Sequence, residues 1–204
     1  MKPYLLALTA LVLSAGALRA ETVLSDVTGN WAAPKNDGFY YRAVLTQEGE
    51  YLRLRIYQGM SADTIEAEPQ FDNPRIAYAA ASAGPGGKDW LEVGPQGELY
   101  LSDLTVNEGY AYTERLMIRM MDNQFTAMAF EQTNNGPDSV ATMPDHPVGC
   151  WTDSCYSCKA DLWNASAVAG GESITLSQPD FEALNASLWT PDRIYELGFC
   201  PAPN

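Results

Sequence analysis

Hydrophobic and polar residues alternate most regularly over residues 51–57, where Leu52, Leu54 and Ile56 would face one side of a strand. The run before it, residues 39–47, is rich in aromatic and β-branched residues, which suit a half-buried pleated surface. A glycine between the two runs permits a tight turn. The pattern therefore predicts a β-hairpin.

Further short strands are predicted along the chain, separated by Gly-Pro or Asp-Asn turn signals. They cover residues 75–81, 89–93, 98–106, 110–120 and 125–131. About seven or eight short strands at this spacing indicate a mainly β domain, either an antiparallel barrel or a sandwich. We place this domain at residues 21–132.

The pattern changes after residue 132. Residues 133–149 contain three prolines and no periodicity, which is typical of a linker. The tail, residues 150–204, is expected to contain short helices, one of them beginning at Ser177. That helix would place three apolar residues on one face: Phe181, Leu184 and Leu188. Large aromatic residues favour packing of the tail on the sheet: Trp151, Trp163, Trp189 and Phe199.

The first 20 residues resemble an export signal. Lys2 supplies a positive charge, and residues 5–13 form an apolar run too short to span a bilayer. Cleavage is expected after Ala20, with Ala17 as the alternative. No later segment is apolar for long enough to span a membrane, so we expect a soluble periplasmic or extracellular protein without stable membrane insertion.

The charge is strongly negative. The chain has 12 Lys and Arg residues against 26 Asp and Glu residues, a net charge of −14. Removing residues 1–20 leaves 10 against 26, a net charge of −16. Such a surface repels phosphate backbones and anionic lipid heads, which disfavours nucleic-acid and membrane-surface binding.

All four cysteines, Cys150, Cys155, Cys158 and Cys200, lie in the tail. An even number in an exported chain indicates disulfides, and three pairings are possible. We prefer Cys150–Cys155 with Cys158–Cys200, because the second bond attaches the C-terminus to the tail. The alternative is redox chemistry at Cys155-Tyr156-Ser157-Cys158, but nearby Asp153 opposes thiolate formation. A four-cysteine zinc site lacks its second close pair.

Other groups with possible chemistry are sparse. His146 lies in a proline-flanked loop. Because it is the one histidine of the sequence, a metal centre with several histidine ligands is excluded. No G-x-S-x-G nucleophile motif is present. Four acids form a cluster that permits calcium binding or glycoside hydrolysis, but solvated loop acids are the favoured interpretation. They are Asp63, Glu66, Glu68 and Asp72.

A basic and aromatic face is predicted opposite the apolar side of the strand at residues 51–57. Its residues are Tyr51, Arg53, Arg55 and Tyr57, and Tyr40 with Arg42 and Arg115 with Arg119 share similar faces. Guanidinium groups beside tyrosines can bind carboxylate, phosphate or sugar. The alternative is cross-strand salt bridging with the chain's own surplus acids.

Gly29-Asn30-Trp31 resembles the G-x-W opening of lipocalin-type barrels. The resemblance covers three residues, and the cysteine-rich tail is an addition to the lipocalin pattern. It implies a closed barrel that carries a small apolar ligand in its mouth.

The sequence thus favours an exported non-enzymatic binding domain for a protein partner or a small envelope ligand. The negative charge suits a basic protein as partner. No cofactor is expected. The alternatives are a lipocalin-like carrier of a small apolar ligand and an exported thiol-disulfide enzyme that uses Cys155 and Cys158.

Overall fold

A computed structural model describes residues 21–33, 38–79, 90–107, 110–137 and 157–201, with backbone only for 104–112 and 134–137. The described residues form two antiparallel sheets. The four-stranded sheet contains β1 (Thr22–Asn30), β2 (Tyr40–Glu48), β3 (Tyr51–Gly59) and β4 (Phe71–Tyr78). The seven-stranded sheet contains β5 (Leu91–Val93), β6 (Leu99–Asn107), β7 (Tyr110–Met121), β8 (Gln124–Pro137), β9 (Ser157–Asp161), β10 (Ser166–Ala169) and β11 (Glu172–Thr175).

Each sheet is a meander in which strands that follow one another along the chain are neighbours. The predicted hairpin at residues 39–57 is confirmed, since β2 pairs with β3 from Tyr40 opposite Gly59 to Glu48 opposite Tyr51. The inward side chains of β3, which are Leu52, Leu54 and Ile56, are fully buried. Period-two alternation therefore set the register of this strand.

The mainly β prediction is confirmed, and of its two forms the structure is a sandwich. The two sheets share one hydrophobic core but do not close into a barrel. The barrel implied by the lipocalin resemblance is therefore wrong. Trp31 is buried in this core, where its ring stacks on the ring of Tyr41 with 4.0 Å between the ring centres. Tyr41 also packs against Gly29, so closely that a Cβ added to Gly29 would lie 2.4 Å from the Tyr41 side chain.

The seven-stranded sheet includes residues on both sides of the segment expected to be a linker. Strand β8 runs to Pro137, and β9 pairs with β8 from Ser157 opposite Thr133 to Asp161 opposite Ala129. Residues 157–175 of the predicted tail thus extend the sheet. Trp189 and Phe199 are buried in the shared core, whereas Trp163 is exposed; Trp151 lies outside the described residues.

The single helix predicted from Ser177 is wrong. The chain instead forms two 3₁₀ turns, Phe181–Leu184 and Ala186–Leu188, followed by a short helix α1 (Arg193–Glu196). Asn185 interrupts the run because its backbone is extended and its side chain accepts from the Ser187 amide. Of the three residues expected on one face, Leu184 is buried, but Phe181 and Leu188 are exposed.

Residues 180–200, here called the C-terminal segment, connect the two sheets. The Nδ2 of buried Asn73 on β4 donates to the carbonyl oxygens of Ala186 at 2.9 Å and Trp189 at 2.7 Å. At its far end a disulfide joins Cys200 to Cys158 on β9. Among the described residues, no helix has the length and apolar character needed to cross a membrane.

Candidate functional site

The predicted basic and aromatic face, Tyr51, Arg53, Arg55 and Tyr57, lies on the outer side of β3. The guanidinium of Arg53 donates to both carboxylate oxygens of Asp72 on β4, at 2.7 and 2.5 Å, and to Glu48 at 2.7 Å. The hydrogen bonds from Arg53 lower the pKa of Asp72 below its ordinary value.

Two further arginines of this sheet are paired as well. Arg55 donates to Glu21, and the guanidinium of Arg42 on β2 donates two hydrogen bonds, in a bidentate arrangement, to the carboxylate of Asp26 on β1. The face is thus a network of cross-strand ion pairs with the chain's own acids. Ligand binding on it stays a prediction, and any anion would have to compete with these carboxylates.

The aromatic residues of the face are likewise in contact with neighbours. Tyr51 stacks on Tyr78 of β4 at 5.6 Å, and the guanidinium of Arg75 lies 5.0 Å from the Tyr51 ring centre. The hydroxyl of Tyr78 donates to Asp192 of the C-terminal segment at 3.1 Å. On the other sheet, Arg115 stacks on Tyr100 and pairs with Glu92.

The predicted acidic cluster is divided by the fold. Asp72 belongs to the ion pairs just described, whereas Asp63, Glu66 and Glu68 lie exposed on the connection between β3 and β4. Within the described ranges, no group of three or more His, Cys, Asp or Glu side chains is arranged to hold a metal ion.

The cysteine prediction is confirmed for one of its two bonds. Cys158 is bonded to Cys200, with 5.8 Å between their α-carbons. Its sulfur is therefore not bonded to Cys155 in this structure. Cys150, Cys155 and His146 lie outside the described residues.

A cleft not singled out from the sequence lies at one end of the sandwich, between the end of β3 and the β7–β8 turn. We call it the Phe39 cleft. Its volume is about 630 Å³, and its lining presents more apolar than polar surface. Four apolar side chains line it: Phe39, Met60, Met120 and Phe125. Phe125 also contacts Trp31 and Phe71, so the floor of the cleft continues into the core.

The backbone at the mouth of this cleft has an unusual conformation at Phe39 and a close approach at Gly59. Phe39 has a left-handed φ of 61°, which is rare for a bulky residue, and the residue is 57% exposed. Across from it Met60 is 74% exposed. A Cβ on Gly59 would lie 2.5 Å from the carbonyl oxygen of Thr64, so glycine is required for this close approach.

One wall is held by an amide network. Gln70 accepts from the backbone amide of Gln58 at 2.6 Å and donates to Glu66 at 2.5 Å and to the carbonyl oxygen of Glu68 at 2.8 Å. These contacts fix residues 66–70 against the end of β3. The carboxylate of Glu66 consequently lies at the cleft.

The segments that form the walls carry an acidic rim. It consists of Asp63, Glu66 and Glu68 on one side and Asp122 in the β7–β8 turn on the other. All four are exposed, and none forms an ion pair with another described residue. Among the described residues, no lysine or arginine lines the cleft. The arrangement combines an apolar floor with negative charge that no described residue compensates.

A second polar cluster lies under the C-terminal segment. The hydroxyl of Tyr195 on α1 donates to Glu114 on β7 at 3.0 Å, and Gln132 on β8 donates to Glu114 at 2.9 Å and to Tyr195 at 2.6 Å. Burial raises the pKa of the Glu114 carboxyl, and the nearby charge of Asp192 raises it further.

Sequence reasoning missed the Phe39 cleft because its residues come from three separate segments. The available signal was the exposure of apolar residues next to turns, as in Gly38-Phe39 and Gly59-Met60.

Compared with known proteins, the chain matches no family model, no curated protein and no solved structure.

Proposed function

We propose that the chain is an exported, non-enzymatic binding domain whose partner or ligand is positively charged. The observation that supports this most is the Phe39 cleft, where the exposed carboxylate of Glu66 lies at an apolar floor. The segments that form its walls also carry the exposed acids Asp63, Glu68 and Asp122, and none of the four forms an ion pair with another described residue. The overall charge of −14 acts in the same direction, because it attracts cations over distance.

Export is part of the proposal. The Cys158–Cys200 disulfide supports it, since disulfides persist mainly in oxidising compartments. The signal-like residues 1–20 give the route, with cleavage after Ala20.

A small ligand and a basic protein both fit this function. The cleft favours a small ligand, because about 630 Å³ lies within the range of ligand pockets. The thiol-disulfide alternative has less support, because the bond of Cys158 to Cys200 leaves no Cys155–Cys158 pair.

The proposal is tested with the mature chain, beginning at Glu21, as immobilised bait in an extract of exported proteins and small molecules. Bound material is eluted by salt, and an unrelated protein of similar net charge serves as control bait. We expect a cationic species that is retained only by this chain and lost as salt rises to about 0.5 M, where the screening length falls below 5 Å. The proposal would be contradicted if both baits retained the same material, or if the amount of bound material did not decrease as the salt concentration rises.

A further inference from the structure

The apolar part of the Phe39 cleft has the character of a ligand pocket. Two aromatic rings and two thioethers face a space of about 630 Å³ that is open on one side. Methionine side chains adapt to varied apolar shapes, and aromatic faces attract cations. The surface is thus suited to an apolar body that bears positive charge.

Phe39 gives an argument independent of the cavity. A left-handed backbone at a non-glycine residue such as Phe39 is energetically costly. An exposed ring recovers little of that cost through burial. Asparagine tolerates this backbone better and would leave the turn intact. The phenyl ring is therefore available to contact a ligand in the cleft.

The charges near the cleft indicate which class of ligand it suits. On the outer face of the four-stranded sheet, Asp26, Glu48 and Asp72 each lie within hydrogen-bond distance of an arginine. The acidic rim, which consists of Asp63, Glu66, Glu68 and Asp122, has no such partner within the described part of the chain. The rim is complementary to a cation, and an anionic or neutral occupant would leave it uncompensated.

We propose that the Phe39 cleft binds a small organic cation with an apolar body, such as an alkyl or aryl ammonium. The apolar body lies between Phe39, Met60 and Met120, and the ammonium group lies beside the carboxylate of Glu66. This inference rests on the proposed function and names the ligand class and the site.

The first experiment compares three probes with the same chain length: octylammonium, octanol and octanoate. Binding to the mature chain is followed by isothermal titration and by the NMR shifts of the methionine methyl groups. We expect octylammonium to bind about tenfold more tightly than octanol, which corresponds to about 1.4 kcal/mol. Octanoate should bind most weakly, and the shifts should be largest at Met60 and Met120. Equal affinity for octylammonium and octanoate would overturn the inference.

The second experiment uses matched pairs of variants. The rim variant Glu66→Gln with Asp122→Asn removes one charge that lines the cleft and one in the adjoining β7–β8 turn. The control Glu172→Gln with Glu182→Gln removes two exposed charges on β11 and the C-terminal segment. The rim variant should lose several-fold in octylammonium affinity while the control loses little, because interactions between exposed charges fall off over about 10 Å at 0.1 M salt.

The aromatic contact is tested by Phe39→Asn, which should weaken octylammonium binding about tenfold without loss of stability. Its control is Val168→Thr, at another exposed apolar position, which should leave binding unchanged. If rim and control charge variants weaken binding equally, the cleft inference fails while the proposed charge-driven function stands. If cations bind neither the wild type nor the variants, both fail. Capture of a basic peptide without octylammonium binding would replace the small cation by a protein partner and overturn the inference.

Discussion

Asp72 and Asn73 are neighbours on β4, yet their polar contacts differ in burial and in reach. Asp72 points outward and pairs with Arg53, 19 residues away on the adjacent strand, with 28–35% of the two side chains exposed. Asn73 points inward, is 2% exposed and donates to carbonyl oxygens 113 and 116 residues away.

The comparison shows which polar contacts determine the architecture. Exposed ion pairs join strands that are already paired through their backbones, and water replaces them at small cost. The buried contacts of the C-terminal segment join elements that are far apart along the chain, and their loss leaves groups without partners. The sandwich should therefore depend on the inner contacts far more than on the outer ones.

The largest expected effect follows from removing the disulfide with Cys158→Ala and Cys200→Ala. The bond closes a loop with a sequence separation of 42, so its loss should cost about 4 kcal/mol on the chain-entropy model. Urea denaturation of the oxidised wild type and the double variant measures it. A loss below about 1 kcal/mol would mean that the noncovalent contacts hold the C-terminal segment without the bond.

Asn73→Ala should have the next largest effect. It removes two buried hydrogen bonds, which leaves the carbonyl oxygens of Ala186 and Trp189 without their donor, and it also removes the acceptor of the Arg75 backbone amide. The expected cost is about 2–3 kcal/mol in unfolding free energy. The matched control is Asn164→Ala, because the Asn164 side-chain amide is exposed and donates to the carboxylate of Asp161 nearby in the chain. Equal losses in the two variants would contradict the role of burial.

The β2–β3 hairpin was predictable because its information is local. The alternation of residues 51–57 set the buried face, and Asp122-Asn123 marked the β7–β8 turn, where both residues have left-handed φ angles. Asn73 gave no such signal, since a polar residue inside a strand has no visible partner until the chain returns 113 residues later.

The candidate site was less predictable than the fold. The arginines of β3 were correctly placed on one face, but their pairing with Glu21, Glu48 and Asp72 depends on strand register. The Phe39 cleft depends on a left-handed backbone at Phe39 and on three segments meeting at one end of the sandwich. Neither property has a signature in hydrophobic periodicity.

Glu114→Gln tests the contribution of a buried polar contact through the pH dependence of the unfolding free energy. Burial raises the pKa of Glu114 in the folded state, so its stabilising contribution is complete below its ordinary pKa of 4.5 and is lost as pH rises through the raised value. The facing groups are Tyr195, Gln132 and Asp192, with Asp103 opposite on β6. The glutamine variant should lose less stability than the wild type as pH increases above 4.5. Denaturation curves between pH 4 and pH 8 that run parallel would exclude this effect.

Asp72→Asn should give the smallest change and the opposite pH dependence. Arg53 lowers the pKa of Asp72, so the ion pair contributes above the ordinary pKa of 3.8 and is lost as pH falls through the lowered value. At neutral pH the variant should lose only about 0.5 kcal/mol, and 0.5 M salt should remove most of that difference. Asp26→Asn is the control, since its pair with Arg42 is more exposed and should be worth even less. If Asp72→Asn destabilised the protein as much as Asn73→Ala, the outer ion pairs would have to be regarded as determinants of the sandwich, and burial would not be the property that separates these two neighbours.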